Sequence, residues 1–428
     1  MRGNRMTPLQ RRNYLLHCLE GGLYGGGLAF VAADTVLPPM IRDLGGPTWA
    51  IALAPSLLFI CFFLPGPFAT PLVERRQRLF PFIAFFGAIQ RLPYLFAAIA
   101  IALCWKSHPA AIPWIVILTP VVSGLAGSVA IPAWMELVTR LIPEHKRASG
   151  WAVRFIIGSL IGIAAGLSIH WVLETWPGTF GYAVLHGLTF AFLSLSMVAF
   201  LFLRETDFPK PEPVQGHWYR HRLQIYGQII RKRSPFRRML MVRFTGYGFM
   251  ILAPFLSITA LDVTQKPESV LGDFVMAQML GGIVGNVIGG WLGDRFGGKR
   301  ILILAKALQI GLCVLLAVNQ SYPGFLASFF LFGMSLFLLH IGDQTLGIEI
   351  SPSRRRPAYF ALYNFAMVPA AFVSAAVAWA IHLNFEGFAP FSIAAGVAIL
   401  ISIAILTTIK EPRLAANRSP DDSPSRSS

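Results

Sequence analysis

The sequence predicts an all-α integral membrane protein: twelve transmembrane helices arranged as two six-helix bundles with pseudo-two-fold symmetry. Three observations carry this. Of the 428 residues 55% are hydrophobic and only 13% charged, where a soluble domain carries about 25% charged residues. Mean hydropathy is +0.61, more apolar character than a soluble surface can hide. Apolar runs long enough to cross ~30 Å of hydrocarbon at ~1.5 Å per residue recur along nearly the whole chain.

The expected spans are Leu15–Met40, Trp49–Val73, Phe80–Trp105, Ile112–Leu137, Trp151–Val172, Tyr182–Leu203, Met239–Leu261, Phe274–Leu292, Ile301–Val318, Phe325–Ile348, Ala358–Ile381 and Phe388–Ile409. The first resembles a signal peptide, with Arg11 and Arg12 before an apolar stretch and Val31-Ala32-Ala33 like a cleavage site. Glu20 interrupts it and eleven further spans follow, so it reads as a retained helix that also serves as the export signal. Pro132, Pro254 and Pro369 fall inside spans, where neighbouring helices can satisfy the freed backbone groups. The implied segments are a cytoplasmic N-terminal tail (1–14), an N-terminal bundle (15–204), a cytoplasmic central loop (205–238), a C-terminal bundle (239–409) and a disordered cytoplasmic tail (410–428).

Charge placement orients the chain. Net charge is +16, from 36 basic and 20 acidic residues. With the N-terminus inside, 29 of the 36 basic residues fall on the inner segments, four within spans, and only Arg42, Lys106 and Lys266 on outer loops. That asymmetry predicts a multi-pass protein of the inner (plasma) membrane with both termini cytoplasmic. It removes a nucleic-acid partner as the reason for the basic excess. The central loop, with nine basic residues, is expected to face anionic lipid headgroups. Cys18, Cys61, Cys104 and Cys313 have no paired spacing, so neither a disulfide frame nor a metal site is expected. No cofactor is expected: Gly293 to Lys299 imitates a P-loop, but Arg300 stands where serine or threonine would bind magnesium.

The two halves echo one another. Glu74-Arg75-Arg76-Gln77-Arg78 follows the second span and Asp294-Arg295-Phe296-Gly297-Gly298-Lys299-Arg300 the eighth. Ala88-Ile89-Gln90 matches Ala307-Leu308-Gln309, Pro143 and Arg147 match Pro352 and Arg356, and Arg204-Glu205 matches Lys410-Glu411. The offsets run 220, 219, 209 and 206 residues, drifting one way as loop-length differences would produce, so a duplicated six-helix unit is expected.

The stretch Gly290-Trp291-Leu292-Gly293-Asp294-Arg295-Phe296-Gly297-Gly298-Lys299-Arg300 resembles the hallmark loop of the major facilitator superfamily, as found in bacterial members. It stands between spans eight and nine, where that family carries it. Between spans two and three lies a degraded copy with Glu74 as the acid and Arg75 beside it. The resemblance covers roughly Arg11 to Glu411 and implies a latch between the halves on the cytoplasmic side, formed by Gly290, Asp294, Arg295, Gly297, Lys299 and Arg300 with Glu74 and Arg75. Gly290 would allow close helix approach and Gly297 a tight turn. Departures from the family's drug/proton antiporters are plain: the fifth span has Gly158, Gly162 and Gly166 but no adjoining proline, and the fourth has no arginine.

Charges inside spans cost about 2.5–3.5 kcal/mol near mid-membrane, so they are the functional candidates. They are Glu20 and Asp34 in the first span, Arg91 in the third, Arg243 in the seventh, and His340 and Asp343 in the tenth. Arg154 and Lys306 lie nearer span ends, where snorkelling would explain them. On one continuous helix Glu20 and Asp34 would share a face, ~40° and ~21 Å apart. Arg91 needs an inward partner, with Asp34 or Glu20 available. Arg243 is expected within reach of Glu20 or Asp343, because an unpaired charge keeps its desolvation cost.

By the resemblance, spans one, four, seven and ten line a cavity. The expected function is a secondary active transporter that moves a small solute by alternating access, coupled to protons or another ion, acting as a monomer. A polytopic membrane enzyme is the rival class, but the outer loops are short and poor in catalytic residues. A non-transporting sensor with the same fold is the third.

Overall fold

The computed structural model describes residues 6–65, 78–205, 235–351 and 356–409, with 224, 226–228 and 231 besides. Among them all regular structure is helical. The first half contains α1 (Pro8–Gly27), α2 (Leu37–Asp43), α3 (Thr48–Phe63), α4 (Phe80–Cys104), α5 (Ile112–Leu141), α6 (Glu144–Thr175) and α7 (Thr179–Leu201). The second contains α8 (Pro235–Gly246), α9 (Ala253–Thr264), α10 (Leu271–Phe296), α11 (Gly298–Val318), α12 (Tyr322–Ile350), α13 (Arg356–Phe365), α14 (Met367–Asn384) and α15 (Ala389–Thr407). Among the described residues ten helical segments are long and apolar enough to cross a membrane, and α3 is apolar but shorter. The chain is a multi-pass membrane protein.

The first expected span is not one helix. α1 starts early, at Pro8, because Thr7 and Gln10 form a reciprocal capping box. It ends at Gly25-Gly26-Gly27, continues as a 3-10 turn over Leu28–Val31, and leaves helical geometry at Ala32. α2 restarts with Pro38 in its first turn, where a missing N–H costs nothing. Glu20 and Asp34 therefore do not share a continuous stripe, which corrects the sequence expectation. Similar breaks divide the seventh and eleventh spans. A 3-10 turn, Tyr247–Ile251, separates α8 from α9. Pro369 cannot donate to the Phe365 carbonyl, and α13 ends there.

Helix ends collect at two faces. At one, Arg12 donates to the Phe202 carbonyl, Asn13 to that of Arg204, Arg238 to that of Thr408 and Lys299 to that of Ile409. This face, called the basic end below, also carries Arg140, whose guanidinium pairs with Glu205 at 3.4 Å. The opposite face, the far end, carries exposed Trp49, Trp105, Trp114, Trp171 and Trp176, in the manner of an interfacial aromatic belt. Between them lie exposed Phe96, Leu160, Val287 and Leu400, which suit lipid.

Packing is closest where glycine permits. α10 and α12 nearly touch backbones: a Cβ on Gly281 would lie 1.9 Å from the Phe330 carbonyl oxygen, and one on Gly333 1.9 Å from that of Gln278. α1 seats Gly22 and Gly26 against Ile157 and Ile161 of α6. The two halves meet along α6 with α10 and α3 with α14. Gly290 faces open space; the close approach expected of it belongs to Gly281, Gly285 and Gly289 on the α12 face. Gly297 does hold a left-handed backbone, φ 86°, and turns the chain from α10 into α11.

Candidate functional site

The candidate charges divide between two chambers. The larger, about 390 Å³, lies between the halves and is lined by Asp34, Tyr247, Arg243, Lys306, His340 and Asp343 among apolar neighbours. Its volume is that of a small-solute site. The break after α1 brings Asp34 into it, and the Tyr247–Ile251 turn sits on its other wall.

Within this chamber Arg243 Nη1 lies 3.7 Å from Asp343 Oδ2. Its guanidinium stacks on the Tyr363 ring at 3.9 Å and reaches Asn364 and Met367. Nε is buried with no hydrogen-bond partner. Lys306, 1% exposed, lines the same chamber; it does not snorkel to the surface as its place near a span end suggested. Two cations thus stand near one carboxylate on the second-half wall. His340 is one turn from Asp343 on α12 and sets its ring edge-on to Phe155 of α6 at 5.8 Å. Across the chamber Asp34 accepts from the Gln278 amide at 2.8 Å, and Thr35 donates to the Gln278 carbonyl oxygen at 2.8 Å. These two bonds join the halves.

The smaller chamber, about 260 Å³, lies wholly inside the first half. Glu20 lines it and pairs with Arg154 at 2.7 Å. Arg154 is held between the Trp134 and Trp151 rings, 4.8 and 5.5 Å from its guanidinium carbon. Glu20 therefore takes Arg154, and Arg243 takes Asp343. Arg91 also lines this chamber but meets no carboxylate there. It donates to the carbonyls of Leu193 (2.6 Å) and Gly87 (2.7 Å) and to Ser196 (3.1 Å). Helix carbonyls and a hydroxyl satisfy it where an acid was expected. Gln90 donates to Tyr24 at 2.7 Å beside it.

Of the expected latch, Glu74, Arg75 and the Asp294 side chain lie outside the described residues. Lys299 caps the end of α15, and Arg295 and Arg300 flank Phe296 at 5.4 and 4.6 Å, all in the second half.

Seven hydrogen bonds between the halves are seen among the described residues, and these run from mid-membrane to the far end. Besides the two at Gln278 they are Ser56–Tyr247 (3.0 Å), Arg42–Asp262 (2.8 Å), Tyr182–Glu268 (2.9 Å), His170–Asp273 (2.9 Å) and Trp379–Thr48 (3.1 Å). The far-end group was missed in the sequence because Asp43, Asp262 and Glu268 stand outside the expected spans, where a charge costs little and draws no attention. The one signal was Arg42, one of three basic residues on that side.

The family model of the Major Facilitator Superfamily matches residues 239–426. The maltose permease of Geobacillus stearothermophilus is 30% identical over 139 residues, 32% of this chain and 32% of that protein, so the match spans about a third of the relative's length. Solved structures share the fold. A D-xylose–proton symporter superposes with TM-score 0.71 at 14% identity, covering 95% of this chain and 99% of that one. A nucleoside transporter gives 0.69 at 14% identity, covering 94% and 100%. A bacterial homologue of the lysosomal transporter Spinster, solved inward-facing, gives 0.62 at 14% identity, covering 97% and 100%.

Proposed function

We propose that this chain belongs to the major facilitator superfamily, whose family model matches residues 239–426, and that it is a secondary active transporter of a small solute. It works by alternating access and is proton-coupled. The observation that carries the reading is the charged chamber between the halves, with the inter-half bonds gathered on its far side. A site between two rocking bundles, sealed at one end, is what alternating access requires. The full topology follows the same reading: twelve spans in two related bundles, the basic end in the cytoplasm of a plasma membrane with both termini, anionic lipid along that face, and a monomer as the working unit.

In this reading the solute binds between Asp34 of the first half and the Arg243, Lys306, His340 and Asp343 group of the second. Among the described residues Arg243 Nε lacks an acceptor, and Lys306 is buried on the wall whose one described carboxylate is Asp343. A solute with an acceptor-rich or anionic group would satisfy both, since an unmade buried hydrogen bond costs about 1–3 kcal/mol. The partly shared Asp343 is the group whose protonation would release Arg243 to such a solute. Asp294 and its loop serve as the latch of the opposite state.

Counterflow in proteoliposomes tests the function. Purified protein is reconstituted with an unlabelled solute panel inside and trace label outside, spanning sugars, nucleosides, peptides and carboxylates. Transient uptake of one class is the expected result, and Asp343→Asn, which imitates the protonated acid, is expected to keep that exchange while losing uptake driven by an imposed pH gradient. Absence of counterflow for every class in protein that is folded and oriented would overturn it.

A further inference from the structure

At the far end Tyr182 Oη lies 2.5 Å from Asp43 Oδ2 and 2.9 Å from Glu268 Oε2. Tyr182 is fully buried, and among the described residues its hydroxyl meets these two carboxyl groups. A phenol has one hydrogen to donate and lone pairs to receive another. It can donate to one carboxylate. The second oxygen, at hydrogen-bond distance from the same phenol oxygen, then needs a hydrogen of its own. Two ionised carboxylates on one hydroxyl would also repel, as like charges sharing a site do.

The remaining charges do not remove the conflict. Arg42 donates to Asp43 at 3.2 Å and to Asp262 at 2.8 Å, so one cation serves three acids counting Glu268. His186, on the same helix as Tyr182, bonds the Tyr182 carbonyl. Lys266 lies over the Tyr322 ring. On the flank, His170 faces Asp273 at 2.9 Å and Glu174 at 3.7 Å, and Tyr322 donates to Asp273.

We propose that closure of the far end binds one proton between Asp43 and Glu268 on the Tyr182 hydroxyl. Asp43 and Tyr182 belong to the first half, Glu268 to the second. Closing the far end brings the second acid to the phenol and takes up a proton; opening it draws Glu268 away, and both acids ionise in water. The proton bond formed is a carboxyl O–H whose hydrogen points at the phenol oxygen, while the phenol O–H points at the other carboxylate. This places a coupling-proton site at the far gate, separate from the chamber. It rests on the alternating-access reading for its use in transport, and on the local geometry for its existence.

The test measures the gate directly. Spectroscopic labels are introduced as noncanonical residues at exposed Ser107 and Glu386, one in each half, in the full chain, and the closed-to-open ratio is followed against pH in proteoliposomes. One proton bound on closure makes the ratio fall about tenfold per pH unit over the window between the open-state and closed-state titrations. Closure is favoured below that window and lost as pH rises through it. Glu268→Gln and Asp43→Asn each supply a neutral partner for the phenol and are expected to lower the slope by about one proton, while His170→Gln leaves the Tyr182-linked part in place. An unchanged slope in both Glu268→Gln and Asp43→Asn overturns the proposal, as does a wild-type gate insensitive to pH. Counterflow on the same vesicles separates the two readings. A pH-driven gate without counterflow refutes transport and leaves the proton site standing; counterflow with a pH-insensitive gate does the reverse.

Discussion

Arg154→Met is expected to destabilise the protein more than the loss of one surface charge, and Glu20→Gln in the same chain is expected to restore much of the loss. The pair is 2.7 Å apart with side chains 13% and 7% exposed. At an effective dielectric constant of ~20 the attraction is about 6 kcal/mol, against a desolvation cost of several kcal/mol for each ion. The net worth of the intact pair is therefore small, whereas removing one partner strands the other and costs about 3–5 kcal/mol. Methionine keeps the volume between Trp134 and Trp151, so the loss is electrostatic rather than a cavity. The double variant carries neither charge, and its coupling energy is expected at about 2 kcal/mol or more, near the upper part of the usual range. Midpoints of thermal unfolding in detergent for wild type, both single variants and the double variant give the cycle. Additive losses, with the double variant as unstable as the singles summed, would refute the pairing.

Lys306→Met is expected to cut counterflow at least about tenfold, the loss of roughly 1.4 kcal/mol of binding, whereas Asp343→Asn is expected to keep counterflow and lose uptake driven by a pH gradient, both proteins staying monodisperse by size exclusion; unaltered behaviour in both would remove the chamber from the mechanism. Gly281→Leu and Gly333→Leu are expected to abolish folded yield, because their Cβ positions overlap carbonyl oxygens at 1.9 Å, whereas Gly290→Ala, in open space, is expected to be neutral or stabilising by up to about 1 kcal/mol. For orientation, a cysteine at Ser107 is expected to react with impermeant maleimide on intact cells and one at Ser149 only after lysis; the opposite pattern would invert the topology. Asp294→Asn is expected to lower transport with near-normal expression, and full activity would reduce the loop to a basic turn.

The membrane class and the two-faced distribution of charge were legible in the sequence because hydropathy and basic-residue bias are additive signals that need no partner. That Arg243 would reach Glu20 or Asp343 was legible from the cost of an unpaired buried charge together with the resemblance, and the structure selects Asp343. Partner choice was less so. Arg91 bonds carbonyls on α4 and α7 because the kinship of those helices, not the inventory of acids, decides what lies beside it. Arg154 and Lys306 read as snorkelling residues, yet close helix packing puts one between two indoles and the other in the chamber. The break after Gly27 has a sequence signal in three consecutive glycines, which weaken a helix, but the expected span ran through them as one helix. Asp43 and Glu268 meet only because two distant loops converge at the far end, and nothing in either loop announces the other.

The α6–α10 seam has a mechanical consequence. Gly162 and Gly166 present a flat strip to Met279 and Met276, and Gly272 lies against Gly166 and His170. Thioether side chains are unbranched and reshape easily, so at these glycines the facing surface is pliable rather than a set of rigid knobs. Interdigitated leucines would give such a seam a few deep registers separated by steric barriers. A smooth strip against a pliable one behaves instead as a plain bearing, on which small rotations change contact shape while contact itself persists. On the alternating-access reading proposed above, the far-end charges act as a clasp on that bearing: they hold one angle of the joint, and the seam would offer little resistance once they let go.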